Sequence, residues 1–185
     1  MSLGEQFESV LDAARAGAAW AVGELYESLN PAVLGYLRSQ EPGDAEDLAS
    51  DTWLGVAAGI RRFQGGEADF RRWVFAIARR RLIDFRRKRA RRATDPAPDE
   101  RLEAGLAWGD AEAEAMAELS TESSIALIRR LPPDQAEVVL LRVIGQFDTD
   151  EVAEVTGKRA GTIRVLQHRA LARLARIVSA EAVTP

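Results

Sequence analysis

No stretch of this sequence alternates apolar and polar residues with the period of two that a half-buried strand requires. Apolar residues return instead at spacings of three and four, which predicts an all-α chain. Phe7, Val10, Leu11 and Ala14 mark a first helix, with Gly17 as its stop. A second runs from about residue 18 to 39, with Trp20, Leu25, Leu29, Val33, Leu34 and Leu37 as its inward set. Pro31 either kinks it or starts a new segment, because proline has no amide hydrogen to donate. Glu41-Pro42-Gly43 predicts a turn, and Asp44 is suited to N-cap a helix reaching about Ile60. Asp47 then sits near the positive end of that helix dipole. Gln64-Gly65-Gly66 breaks the pattern before a long helix over about 69–91.

Residues 94–120 change character, with Pro96, Pro98, Gly105 and Gly109 among acids and little apolar material, and read as a tether. Beyond it, Ile125, Leu127, Ile128 and Leu131 end a helix at Pro132-Pro133. Another runs from Asp134 to about Gly145, with Val138, Val139, Leu141 and Val143 inward. A helix-turn-helix follows, its turn at Gly157-Lys158 and its helices pinned by Val152, Val155 and Ile163. The predicted organisation is two small helical domains, 1–93 and 121–180, joined by an acidic linker over 94–120.

Charge divides the chain more sharply than its net of −4 suggests. Residues 1–60 hold ten acids against two bases, whereas residues 61–92 hold thirteen bases against three acids. Residues 95–122 swing back to nine acids and one base, and residues 158–176 carry six bases and no acid. Two separate cationic helices on an acidic chain predict a protein that grips nucleic acid at two places and meets a different partner elsewhere. Arginine dominates the first, and its planar fork suits phosphate.

Other chemistry is excluded or unsupported. With no cysteine, disulfides and thiolate zinc sites are ruled out, and His168 is the only histidine. No nucleophile–base constellation, phosphate-binding glycine loop or metal cluster is present, so neither a catalytic residue nor a cofactor is predicted, and the chain is not expected to be an enzyme. The N-terminus lacks the pattern of a signal peptide, and no run reaches the roughly 20 apolar residues that span a bilayer. A soluble, cytoplasmic protein is expected.

At this point the residues resemble the extracytoplasmic-function group of the bacterial sigma-70 family, which supplies promoter specificity to RNA polymerase. DAEDLASDTWL (44–54) looks like that family's clamp-binding motif, and FRRWVFAIARRRLIDFRRKRARR (70–92) is similar to its −10 reading and melting helix. The segment 131–174 looks like its C-terminal −35 reading domain. Three motifs in the family's order cover about 160 of the 185 residues. The sequence departs from the family pattern at Ser50 and Asp51, where glutamine and glutamate are usual, and at Arg80, which stands for asparagine. Val165 and Leu166 occupy positions that are polar or basic in the family.

The resemblance implies partners for each element. Asp44, Asp47, Ser50 and Asp51 would dock on the β′ clamp of core polymerase; the plainer reading is a capped helix with a solvated acidic face. Trp73, Ile77 and Phe85 are expected to hold the arginine helix down, leaving Arg72, Arg79, Arg80, Arg86 and Arg87 for −10 DNA. Phe63 and Gln64 lie in the loop that by resemblance captures an unstacked −10 base, Phe63 serving either as stacking surface or as anchor. Lys158, Arg159, Thr162, Arg164, Gln167 and His168 would face −35 DNA, with Lys158, like Arg173 and Arg176, at phosphate or water and His168 either in the groove or merely solvated. The domain that carries them would bind the β flap, and an anti-sigma factor is a further expected partner. No membrane insertion is expected. The linker either threads towards the polymerase cleft or is simply solvated. Two rival readings remain: a stand-alone dimeric helix-turn-helix regulator, and an interaction protein whose basic helix only docks.

Overall fold

Helical periodicity becomes helices throughout the described residues. The computed structural model describes residues 3–93 and 124–182, and among these there is no strand. The predicted linker, 94–120, lies outside the described residues, as do 121–123 at the start of the second predicted domain. The helices are α1 (Phe7–Arg15), α2 (Ala19–Gln40), α3 (Ala45–Gly59) and α4 (Glu67–Ala93), followed by α5 (124–129), α6 (Pro133–Val143), α7 (Thr149–Thr156) and α8 (Ala160–Ala182).

The first four make one bundle. Leu25, Leu29, Val33 and Leu37 of α2 meet Leu48 and Val56 of α3 and Phe70, Val74, Ala78 and Leu82 of α4, all of them buried. Each such leucine or phenylalanine contributes about 1.5–3 kcal/mol by leaving water. Pro31 lies inside an uninterrupted α2, on its exposed side, so the hydrogen bond it forgoes faces solvent. Asp44 occupies the N-cap position of α3, but its side chain makes no capping bond.

In the second bundle, Pro133 takes the first position of α6, where its missing N–H costs nothing. Asp148 and Glu151 close a full capping box on α7, worth about 1 kcal/mol. Gly157 ends that helix at φ 68°, a left-handed position open to glycine without penalty. Val152, Val155 and Ile163 are buried as predicted.

Two inward assignments fail. Trp20 is 61% exposed because it stands on the same side of α2 as the exposed Glu24, Glu27 and Pro31, opposite Leu29, and Val143 is 65% exposed in the last turn of α6. Leu140 is buried instead, since α6 has helices on more than one side.

The two bundles also touch. Phe75 of α4 sets its edge against Phe147, with centroids 5.0 Å apart, and the ring of Tyr36 lies 5.6 Å from Phe75. The Tyr36 hydroxyl, fully buried, reaches Glu137 of α6 at 3.5 Å. Burial first, and then the Glu137 charge, raise its pKa above the ordinary range, so it remains a neutral donor. Arg129 of α5 donates to the carbonyls of Arg38 (2.6 Å) and Ser39 (2.8 Å), capping the C-terminal end of α2.

Candidate polymerase and nucleic-acid interfaces

α3 buries Leu48, Ala49, Thr52 and Val56, and its helical phase therefore turns Asp47, Ser50 and Asp51 outward. Asp47, Ser50 and Asp51 are exposed, with Asp44 half-buried at the helix start. Neither Asp47 nor Asp51 takes part in an ion pair among the described residues. Neighbouring Glu46 does, with Arg38 at 2.7 Å, and that hydrogen bond holds its carboxyl below the usual range. Leu54 lies on the same face, one turn beyond Asp51, and is 67% exposed. Sequence reading passed over it, although a large apolar residue seven positions after Asp47 was a usable signal. Beside it, the Trp53 indole donates to Asn30 at 2.9 Å and stands 5.1 Å from the Tyr26 ring.

The loop before α4 is tied on several sides. The Phe63 ring stacks on Trp73 at 5.0 Å and sets an edge against Phe70 at 5.4 Å, while Arg15 donates to the Phe63 carbonyl. The backbone amides of Leu3 and Gly4 donate to Glu67 at 2.7 and 3.0 Å, and the Gly66 amide donates to Asp69 at 3.0 Å. In this arrangement Phe63 is an anchor, and Gln64, Gly65 and Gly66 are the exposed tip. Gly65 has φ 137°, and a Cβ there would meet Asp69 Cβ at 2.6 Å. Gly65→Ala is therefore expected to cost about 1–3 kcal/mol, from a conformation closed to L side chains. Thermal denaturation should show this loss with the helical signal intact below the transition, and an unchanged midpoint would mean that the loop has another low-energy shape.

The arginines of α4 separate into groups by direction. Arg80 and Arg87 are exposed; Arg80 has no ion pair among the described residues, and Arg87 only a long one to Asp84 at 3.9 Å. Arg72 faces α7, where it meets Glu151 at 2.8 Å and Glu154 at 3.0 Å, with Asp69 of its own helix completing the set. Burial opposes its charge, but the Glu151 hydrogen bond and the charges of Glu154 and Asp69 outweigh that and raise its pKa. Arg79 grips both oxygens of Glu137 along one edge of its guanidinium, through Nε at 2.9 Å and a terminal nitrogen at 3.2 Å. Arg86 turns back to Glu41 at 2.7 Å, and Arg89 takes the other oxygen of the same buried carboxylate at 2.7 Å. Glu41 and Glu137 were not singled out by sequence, since an isolated glutamate carries no sign of a distant arginine.

In the helix-turn-helix, Arg159, Thr162, Arg164 and His168 are exposed, with Lys158 and Gln167 half-buried. Arg164 and His168 share one face, with Leu171 one turn further on. Lys158 reaches Asp134 at 3.3 Å, and Arg164 comes no nearer than 3.8 Å to Asp150, a solvated contact worth little. Further along α8, Arg173 and Arg176 line a groove with Arg130.

Comparisons with known proteins agree with this layout. Residues 25–92 match the family model for Sigma-70 region 2, and residues 114–174 match that for Sigma-70, region 4. The chain is 34% identical to the ECF RNA polymerase sigma factor BldN of Streptomyces coelicolor over 94% of its own length, spanning 66% of that relative. It is 33% identical to the ECF RNA polymerase sigma factor ShbA of Streptomyces griseus subsp. griseus, covering 85% of this chain and 87% of that one. The fold is similar to that of RpoE from Bartonella quintana, solved in complex with the anti-sigma factor NepR, at TM-score 0.63 and 23% identity over 88% and 98% of the two chains.

Proposed function

Because the chain belongs to the extracytoplasmic-function sigma factors, which direct RNA polymerase to promoters, we propose a division of that work among its surfaces. The α3 face of Asp44, Asp47, Ser50 and Asp51, extended by Leu54, docks on the β′ clamp. The 63–66 loop and the arginines of α4 take the melted −10 strand. The helix-turn-helix reads the −35 element and rests on the β flap, the predicted 94–120 linker joining the two ends.

The observation that carries this reading is the recognition helix. Ile163 locks α8 to α7 through Val152 and Val155, and that packing fixes Arg159, Thr162, Arg164 and His168 on the open side. Such a helix end fits a major groove, where arginine recognises guanine by two hydrogen bonds. The chain's own contribution is positional and electrostatic, with no chemical step of its own. Among the described residues no helix is long and apolar enough to cross a membrane; a cytoplasmic location is proposed, supported by the family's work on polymerase. An inhibitor of the anti-sigma kind is also proposed, supported by the RpoE–NepR complex.

Run-off transcription with purified core polymerase on genomic fragments tests this reading. Discrete transcripts that require the chain are expected. A footprint on duplex DNA without polymerase, and no transcripts with it, would favour a stand-alone regulator. Neither activity would favour a pure interaction protein.

A further inference from the structure

We propose that Glu137, Glu151 and Glu154 act as an internal substitute for nucleic-acid phosphate, masking Arg72 and Arg79 of α4 while the recognition helix stays open.

The geometry is one-sided. Three carboxylates of α6 and α7 land on arginines of α4: Glu137 on Arg79, Glu151 and Glu154 on Arg72. Their contacts fall between 2.8 and 3.2 Å and engage Nε as well as a terminal nitrogen, as a guanidinium does with phosphate. The side chains of Arg79 and Glu137 are only 20% and 12% exposed, so a phosphate cannot join without displacing the carboxylate. Phe75 against Phe147 and Tyr36 beside Glu137 close the apolar part of the same contact. Outside it, Arg80, Arg87, Arg159 and Arg164 remain exposed. The closed chain thus keeps its −35 cations available and withholds part of its −10 set. α7 serves both ends, pinning the recognition helix with Val152 and Val155 on one side and holding Arg72 with Glu151 and Glu154 on the other.

This inference rests on the reading of α4 as a DNA-contacting helix, and the experiment separates the two. The full-length chain is titrated without polymerase against a fluorescent 12-nucleotide single strand of mixed sequence, across a salt series. The variant E137Q/E151Q/E154Q is expected to bind at least tenfold more tightly at low salt, and its salt slope should steepen by about 0.7 log unit for each further phosphate that the chain neutralises. Glutamine at 151 keeps the capping box of α7. Adding R72A/R79A should return the triple variant to the affinity of the unaltered chain. Neutralising three remote exposed acids, E5Q/E8Q/E24Q, controls for net charge and should change affinity less than threefold.

An equal rise in affinity for that control, or a rise that survives R72A/R79A, overturns the proposal. So does an unchanged affinity of the triple variant when R80A/R87A weakens binding, because α4 then meets DNA unmasked. If R80A/R87A has no effect, the reading of α4 itself fails and the masking falls with it. E154Q alone, at a largely exposed carboxylate, should tighten binding about two- to fivefold, so misfolding of the triple variant does not shelter the idea.

Discussion

Replacing Asp47 and Asp51 together with lysine should abolish co-purification with core RNA polymerase while leaving the helical bundle folded. Both side chains are exposed on α3, on the side away from Leu48, Thr52 and Val56, and neither is ion-paired among the described residues. Their removal therefore breaks nothing within the chain. Asp47 does sit in the first turn, so lysine there forfeits a dipole interaction of about 0.3–1 kcal/mol. A melting temperature lower by a few degrees is the expected result. At an interface, removing one member of a desolvated charge pair costs about 2–5 kcal/mol, and reversing two charges exceeds that. Pull-down and circular dichroism on the same sample read both effects, and core binding that survives would remove the clamp assignment from this face. Leu54→Asp makes an independent check, because it alters the same face without touching either carboxylate.

Arg164→Ala should cost about 1–3 kcal/mol on the cognate −35 site and relax preference at one base position. Arg164 stands in the second turn of α8, next to buried Ile163 but turned outward, and the weak contact with Asp150 does not hold it back. Arg176, three turns further along, lines a groove with Arg173 and Arg130 and is proposed to touch phosphate. Arg176→Ala should weaken all sequences by a similar small factor. Transcription from a promoter library randomised across the −35 element distinguishes these outcomes. A uniform loss of output for Arg164→Ala, with base preference intact, would make it a phosphate clamp and pass the reading to Arg159, Gln167 or His168.

What could be read from the sequence was what local spacing determines. Val152, Val155, Ile163 and the turn at Gly157 followed from helical phase and from glycine's freedom at positive φ, and the structure has them as expected. Phase alone misled at Val143, which keeps the rhythm of Val139 but lies exposed in the last turn of α6, whereas Trp20 was off phase, on the side of α2 opposite Leu29. Phase was silent elsewhere in α6, where Leu140 is buried because that helix is covered on more than one flank. The buried carboxylates are a different kind of omission. Glu41 lies 45 and 48 residues before the arginines it holds, and Glu137 lies 58 after Arg79. Their burial depends on how the helices assemble, and no window of local sequence contains that. The contact between the bundles was invisible for the same reason.

Arg129 carries a consequence for communication across the molecule. Its guanidinium holds the last carbonyls of α2, only a few residues before Asp44 and Asp47 begin α3. The end of one bundle is thus completed by a side chain from the other. Linkage is reciprocal: a ligand at the start of α3 that favours one arrangement of that helix end changes the equilibrium between docked and separated bundles, and separation changes the ligand's affinity by the same factor. The capped end of α2 thus joins the Phe75–Phe147, Arg79–Glu137 and Arg72–Glu151 contacts as one more tie between the face that carries Asp47 and the bundle that carries the recognition helix.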